Sequence, residues 1–463
     1  MNPAGQRQWR RWTREIRPTL ALAAPVATGM LSQALLGLAD TRMVAPLGVV
    51  PLGACAFVNN IVHPPLIFSI GLLTAVSVEV SNGFGARDRE FVGESLRHGL
   101  LMAGLAGAGV LACACLMGWF LPVFGQPEDV TAASHTYLIL FAASFVPGLL
   151  AHTGKLHGEA LDHPWAPNLI LLGGVGLNIL LNWILIYGNW GAPKLGLEGA
   201  GWATLIARTL SAVAMIGYTI RAPSLAPWHP RAWIAPIQRT ALTRMWRLGW
   251  PAALHHLAEV AAFVLVGLMM GWLGKEALAA HQVAMQCVAT TFMITLGLAV
   301  AVSVRVGHAN GAGQPRRVRR IGVIGLVMAS ALMGSAALVL ILHRHGIADW
   351  FVDAPRLIEL TATLLGIAAW FQIADGVQVM SGNALRGIRD VRAPALIALC
   401  CFWGVQVPIA AILGFHLEMG PIGVWWGLAA GLTLAAIWLT VRFFRLSRPS
   451  CPAEPARSRP TAV

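Results

Sequence analysis

Charge is what this 463-residue sequence has least of: 11% of its residues are Asp, Glu, Lys or Arg, while 57% are hydrophobic. A soluble domain carries about 25% charged residues. A chain this poor in charge cannot clothe a water-facing surface, so lipid must take that role. Acids are scarcer than bases, 20 against 33, for a net charge of +13. The seven cysteines (Cys55, Cys113, Cys115, Cys287, Cys400, Cys401 and Cys451) show no zinc or redox spacing and read as small packing residues. The alternating pattern of barrel strands is missing, which excludes a membrane β-barrel. No His-Glu-x-x-His, Gly-x-Ser-x-Gly nucleophile pattern or catalytically spaced Asp pair is present, which argues against an intramembrane enzyme.

What is present is a series of long apolar runs. Twelve are counted, near 18–45, 52–79, 95–121, 131–154, 164–188, 196–220, 246–272, 276–304, 318–342, 357–384, 393–414 and 421–444. Each can cross a hydrocarbon core of about 30 Å as a helix of about 20 residues. Only helices or closed barrels satisfy the backbone in lipid, so the expected fold is an all-α integral membrane protein. The basic residues are sorted. Segments 1–17, 82–98, 155–163, 221–247, 305–320, 386–392 and the tail from Arg442 hold 27 Lys and Arg, against four in the loops of the opposite side. By the positive-inside rule both termini are cytoplasmic in a multi-pass plasma (inner) membrane protein. The same sorting accounts for the positive charge through anionic lipid, leaving no reason to invoke nucleic acid. The basic stretch from Arg7 to Arg17, with Trp9 and Trp12, is followed by a span too long for a signal peptide and reads as an interfacial anchor.

The two halves repeat. Pro25 matches Pro251, Met43 matches Met269, Gly48 matches Gly274, Val76, Val78 and Val80 match Val302, Val304 and Val306, and Gly85 matches Gly311, always 226 residues apart. Gly199 and Trp202 match Gly423 and Trp426 at 224. One register held through Pro, Gly and Trp signals duplication. Six spans per copy, an even number, make the repeat parallel, with its axis along the membrane normal. The expected organisation is a cytoplasmic N-terminus (1–17), an N-lobe of six helices (18–220), a Pro- and Trp-containing cytoplasmic linker (221–245), a pseudo-symmetric C-lobe (246–445) and a cytoplasmic tail (446–463).

Three acids fall deep in apolar runs: Asp40 in the first, Glu259 in the seventh and Asp375 in the tenth. A central charge costs about 2.5–3.5 kcal/mol on the insertion scale. The only basic residue seen as a partner is Arg42, for Asp40. Such acids hold a proton part of the time, bind a metal cation or face a hydrated cavity. Glu79, late in its run, is expected to be solvated at a loop edge. Amides share faces with the acids: Asn178 and Asn182 are four apart, Gln33 precedes Asp40 by seven, Gln282 and Gln286 form another i, i+4 pair, and Gln378 follows Asp375 by three. His281 begins the polar face of the eighth run. Phe263 and Phe371 each lie one turn from an acid, and Met269, Met270, Met285 and Met293 lie nearby. Core packing is the default for these; an adaptable wall for apolar cations is the functional alternative.

Together these residues resemble the multidrug and toxic compound extrusion (MATE) family, in its NorM-like branch. The resemblance rests on Ala39-Asp40-Thr41-Arg42-Met43-Val44, Glu259 with Leu278-Ala279-Ala280-His281-Gln282-Val283, Ala301-Val302-Ser303-Val304-Arg305-Val306-Gly307, and Asp375-Gly376-Val377-Gln378 leading to Leu385-Arg386-Gly387, and it runs from about residue 14 to 445. It implies twelve transmembrane helices in two six-helix lobes, and a multidrug efflux antiporter, not an enzyme. Such a protein works as a monomer without a cofactor and exchanges amphipathic, often cationic compounds for H⁺ or Na⁺. By matching, Asp40, Asn178, Asn182 and Thr204 form an N-lobe cation site. Glu259 and Asp375 form a C-lobe one, with Na⁺ as the candidate metal ion. The substrate wall then comprises Gln33, Phe263, Gln282, Met285, Gln286, Phe371 and Gln378. Phe371 stands where the branch often has tyrosine, which removes a hydroxyl ligand. The alternative within the superfamily, a lipid-linked oligosaccharide flippase, calls for a cationic cavity, whereas the deep charges seen here are mainly acidic.

Overall fold

The structure, a computed structural model, describes residues 3–352 and 354–448; for residues 3–11 and Ala34 only the backbone is described. The tail beyond 448, with Cys451, lies outside the described residues. The chain is helical: α1 (Pro3–Val44), α2 (Val49–Ala86), α3 (Arg89–Phe120), α4 (Glu128–Ala143), α5 (Phe145–Ala160), α6 (Trp165–Tyr187), α7 (Leu197–Arg221), α8 (Arg239–Trp272), α9 (Lys275–Gly311), α10 (Pro315–Phe351), α11 (Pro355–Gly387), α12 (Arg392–Cys401), α13 (Val407–Ala411) and α14 (Gly420–Leu446). Among the described residues these make twelve helical segments long and apolar enough to span a membrane. The fourth span is α4 and α5, broken at Ser144; Pro147 has no N–H to return to Ala143, so the ladder restarts there. The eleventh is α12 and α13 with the π-helical turns Phe402–Gln406 and Ile412–His416.

Several boundaries differ from expectation. Helix α1 already begins at Pro3, and α8 at Arg239, so the irregular linker is shorter than 221–245. Helix α11 runs to Gly387, which puts Arg386 inside a span and buries it. Charged residues continue a helix readily; apolarity marks where lipid ends, not where helix ends.

The lobes meet on the side that carries both termini. Leu22 and Ala23 of α1 pack into the α9–α10–α11–α14 core, and Met245 and Ala253 of α8 into the α2–α3–α5 core. In the other half of the molecule each lobe keeps its own core, one drawn from residues 44–200 and one from 262–435. The walls therefore part there into a cleft.

Small residues let the closed side close. A Cβ on Gly71 (α2) would sit 2.5 Å from the Ala253 Cα, and one on Gly311 (α9) 1.9 Å from the Asn82 carbonyl oxygen. The contact is two-fold. Asn82 meets Gly311 and Gly85 meets His308, while Asn82/His308 and Gly85/Gly311 are the repeat partners, 226 apart. Ser81 touches its own partner, Gly307. An axis along the membrane normal is what such a self-complementary seam requires. Polar bonds fasten it: Asn310 Nδ2 donates to Asn82 Oδ1 (2.7 Å), Asn82 Nδ2 to the Gly387 carbonyl (3.0 Å), and His308 Nε2 pairs with the Ala160 carbonyl (2.7 Å). Glu15 of α1 takes Arg305 and Arg317 (3.2 Å) from the other lobe. Glu79 is not at a solvated edge: its carboxylate is fully buried, doubly bonded by Arg244 Nε (2.9 Å to each oxygen) and by Ser95 Oγ (3.3 Å). The apolar run hid this, because Arg244 comes from across the seam.

Gly71→Val or Gly311→Val should prevent this seam from closing. Spin labels placed on α2 and α8 at the terminus side should then report a longer inter-lobe distance than wild type; an unchanged distance would contradict the seam's dependence on glycine.

Candidate functional site

Helices α1 and α9 touch at Ala27/Gly297; further along, Val44 of α1 packs in the N-lobe core and Ala284 and Val288 of α9 in the C-lobe core. On these stretches Gln33 of α1 and Gln282 and Gln286 of α9 are exposed, whereas His281, Ala284 and Val288, on the other side of α9, are buried in the C-lobe. Amides turned to hydrocarbon would be costly, so this face lines the hydrated cleft.

In the N-lobe the expected residues converge. Asn178 and Asn182, one turn apart on α6, face α1 and α7. Asn182 Nδ2 donates to Asp40 Oδ1 at 2.6 Å and to Asn178 Oδ1 at 3.0 Å. Asn178 Nδ2 donates to Thr204 Oγ1 at 3.2 Å, and Thr204 passes its own proton to the Ala200 carbonyl. The amides and Thr204 are buried; Asp40 is half-buried. Arg42 is exposed and does not serve Asp40. The cation within electrostatic reach of Asp40 is Arg208 of α7, four residues after Thr204 and so on the same face. Arg208 is fixed by the break in the fourth span: its Nη1 donates to Ser144 Oγ (2.8 Å), and its guanidinium lies over Phe145 (4.5 Å). Cys55 and Tyr137, in contact at 3.6 Å, complete the wall.

The C-lobe site is built on α8 and α11. Glu259 lies within electrostatic reach of Gln378 and of Asp375, one turn before Gln378. Like charges this close cannot both ionise cheaply. Arg386 also acts on Glu259, and His255 Nε2 lies 4.0 Å from its carboxylate. Arg386 was missed because it was read as loop. Its spacing could have found it, since eleven residues after Asp375 is three turns on the same face.

In both lobes an amide near a carboxylate keeps a buried, unbonded oxygen, and in the N-lobe that amide's N–H is donated to the acid. The open oxygens are Asn182 Oδ1 and Gln378 Oε1. Carboxylates with amide oxygens suit a proton or a hard cation such as Na⁺. The apolar residues divide differently from expectation. Phe371 is only 1% exposed and packs on Trp425 (5.8 Å) in the C-lobe core, joined by His281 (5.7 Å from the same indole). Met269 and Met270 are in that core too; Phe263 and Met285 pack on its edge and are half-buried.

The MatE family model matches residues 25–184 and 251–412, two stretches that begin 226 residues apart. A probable multidrug resistance protein NorM of Bradyrhizobium diazoefficiens is 34% identical over 440 residues, covering 94% of each chain. The multidrug resistance protein NorM of Burkholderia vietnamiensis is 35% identical over 446 residues, covering 92% of this chain and 93% of that one. Among solved structures, a MATE protein in its bent conformation superposes with a TM-score of 0.86, and an outward-facing multidrug resistance MATE transporter of the MOP superfamily with 0.84. Each is 20% identical and covers 93% of this chain and 96% of that one.

If the Asn182 amide and the Asp40 carboxylate act as a unit, their removals are not additive. Asn182→Leu alone should lower stability by about 1–3 kcal/mol, by leaving a buried acceptor unmet. Asp40→Asn in that background should return part of the loss. Thermal unfolding of the two single variants and the double variant in detergent measures the coupling, expected to be about 0.5–3 kcal/mol; strict additivity would separate the two residues.

Proposed function

Because the chain belongs to the MatE family, matched along both of its halves, we propose that it is a multidrug efflux antiporter of the inner membrane. It expels amphipathic, often cationic compounds in exchange for H⁺ or Na⁺ by alternating access, and it is not an enzyme. The observation that carries this reading is the pair of acidic sites, one in each lobe of a duplicated bundle whose halves meet at a two-fold seam. The basic residues lie on the sealed side with both termini, so that side is cytoplasmic and the cleft faces outward.

In this reading Asp40 and the Glu259/Asp375 pair each accept either the coupling cation or the positive charge of the drug. A proton or Na⁺ arriving from outside neutralises the carboxylate and removes the attraction that held an organic cation. The two ligands then have opposite effects on each other's affinity, as coupling requires. Asn182 steadies Asp40 through its N–H, and Asn182 and Gln378 both present free carbonyl oxygens to the incoming cation. Arg208 and Arg386 keep the emptied acids from standing as bare charges in a low-dielectric lobe. Gln33, Gln282 and Gln286 offer neutral hydrogen bonds to varied cargo, with the edges of Phe263 and Met285 beside them.

Ethidium movement in everted vesicles, driven by a pH gradient alone and then by a Na⁺ gradient alone, identifies the coupling ion. Asp40→Asn should abolish efflux while the protein still reaches the membrane; wild-type efflux by that variant would sink the coupling role. Glu259→Gln and Asp375→Asn should each remove most activity, with the double variant little worse; multiplicative losses would mean that they do not share a cation.

Orientation is tested separately. Ile234, 99% exposed in the linker, can be replaced by Cys in a cysteine-free background. An impermeant maleimide should label it only after lysis, and labelling of intact cells would reverse the sidedness.

A further inference from the structure

At the terminus side, where α2, the start of α8 and the α11–α12 turn come together, there is a cavity of about 660 Å³. Five arginines line it, Arg239, Arg244, Arg247, Arg389 and Arg392, against two acids. Both acids are already neutralised: Glu79 by Arg244, and Asp390 by Arg442 outside the cavity (2.6 and 3.2 Å). Arg244 and Arg389 lie over the ring of Phe91 (4.5 and 5.6 Å). Among the described residues, no partner is recorded for the side chains of Arg239, Arg247 and Arg392. Helices α8 and α12 both begin at this wall, with first-turn N–H groups that a helix cannot satisfy internally.

We propose that this cavity binds the phosphate headgroup of an anionic phospholipid. Unpaired guanidiniums beside two helix N-termini form a phosphate site. The surroundings select a lipid over a soluble anion. Leu248 and Val391 add apolar wall inside the cavity. Trp246 and Trp250, stacked at 6.3 Å and 47% and 44% exposed, stand on the adjoining face of α8, and indoles are side chains that favour the headgroup layer. The acyl chains run along those indoles while the phosphate sits among the arginines. Glu79 and Phe91 come from the N-lobe and the five arginines from the C-lobe side of the seam, so the cavity is complete only while the seam is closed. A bound lipid therefore favours the state in which the cleft is open at its other end. That the leaflet is cytoplasmic rests on the orientation proposed above; binding in detergent does not.

The test is lipid titration of the full-length protein in detergent by native mass spectrometry, with phosphatidylglycerol, phosphatidylcholine and inorganic phosphate as probes. Wild type should retain phosphatidylglycerol over phosphatidylcholine, and Arg239→Gln/Arg247→Gln/Arg392→Gln should weaken that retention roughly 10–100-fold. Arg316→Gln/Arg320→Gln/Arg445→Gln, with the same loss of charge elsewhere on that side, should not. If the cavity triple fails to fold, the single reversal Arg247→Glu, at an exposed position, should weaken retention in the same direction. Wild-type retention by the cavity variants, or an equal loss in the control triple, overturns the site. Binding of inorganic phosphate through these arginines without phosphatidylglycerol overturns the lipid assignment.

Discussion

A carboxylate inside a membrane domain has to be met by the protein, because lipid offers it nothing, and this requirement organises the molecule. Five deep or seam acids lie beside an amide or a cation, while Asp375 lies beside Glu259. Asp40 has Asn182 and Arg208; Glu259 has Gln378 and Arg386; Glu79 has Arg244; Glu15 has Arg305; and Glu159 has Lys155 (3.6 Å) and Asn168 (2.9 Å). Where donor and acid belong to one lobe, as with Asp40 and Asn182, the pair is the proposed cation site. Where they come from different lobes, as with Glu15 and Glu79, the pair closes the seam. The same chemistry thus serves as site or as fastening, depending on whether the partner lies across the axis.

Duplication supplies the frame, and divergence supplies the chemistry. In the 226-residue register the position of Glu259 is held in the first copy by Gln33, and that of Asp40 in the second by Val266. The lobes are therefore alike in backbone and unlike in charge. The first carries its acid near the far end of α1, backed by α6 and α7. The second carries two acids on α8 and α11. Gly85 and Gly311 stayed alike at the seam, since a backbone-to-backbone approach across a two-fold axis makes the same demand on both copies.

Much of the site could be read before any coordinates. Asn178 and Asn182 at i, i+4, and Gln378 three residues after Asp375, follow helical periodicity, and helices are what lipid enforces. The residues misread share one cause. Arg208, Arg386, Arg244 and Phe371 are defined by what stands opposite them on another helix. Arg42 looked like the partner of Asp40 because it is two residues away, but two residues along a helix point to different sides. Phe371 looked like cleft wall because it is one turn from Asp375, yet the indole of Trp425, 54 residues later, draws it into the core.

The sequence by itself determined that the chain spans a membrane twelve times, that it is doubled, and which acids lie deep in its apolar runs. Those properties follow from hydropathy, register and the energy of burying charge, all of which act along one chain. The tertiary structure alone decided which end of the cleft is shut, which cation answers which acid, and which aromatic side chains face the cleft. These depend on distances between helices far apart in sequence, where a single Cβ at Gly71 or Gly311 separates two backbones that touch from two that cannot.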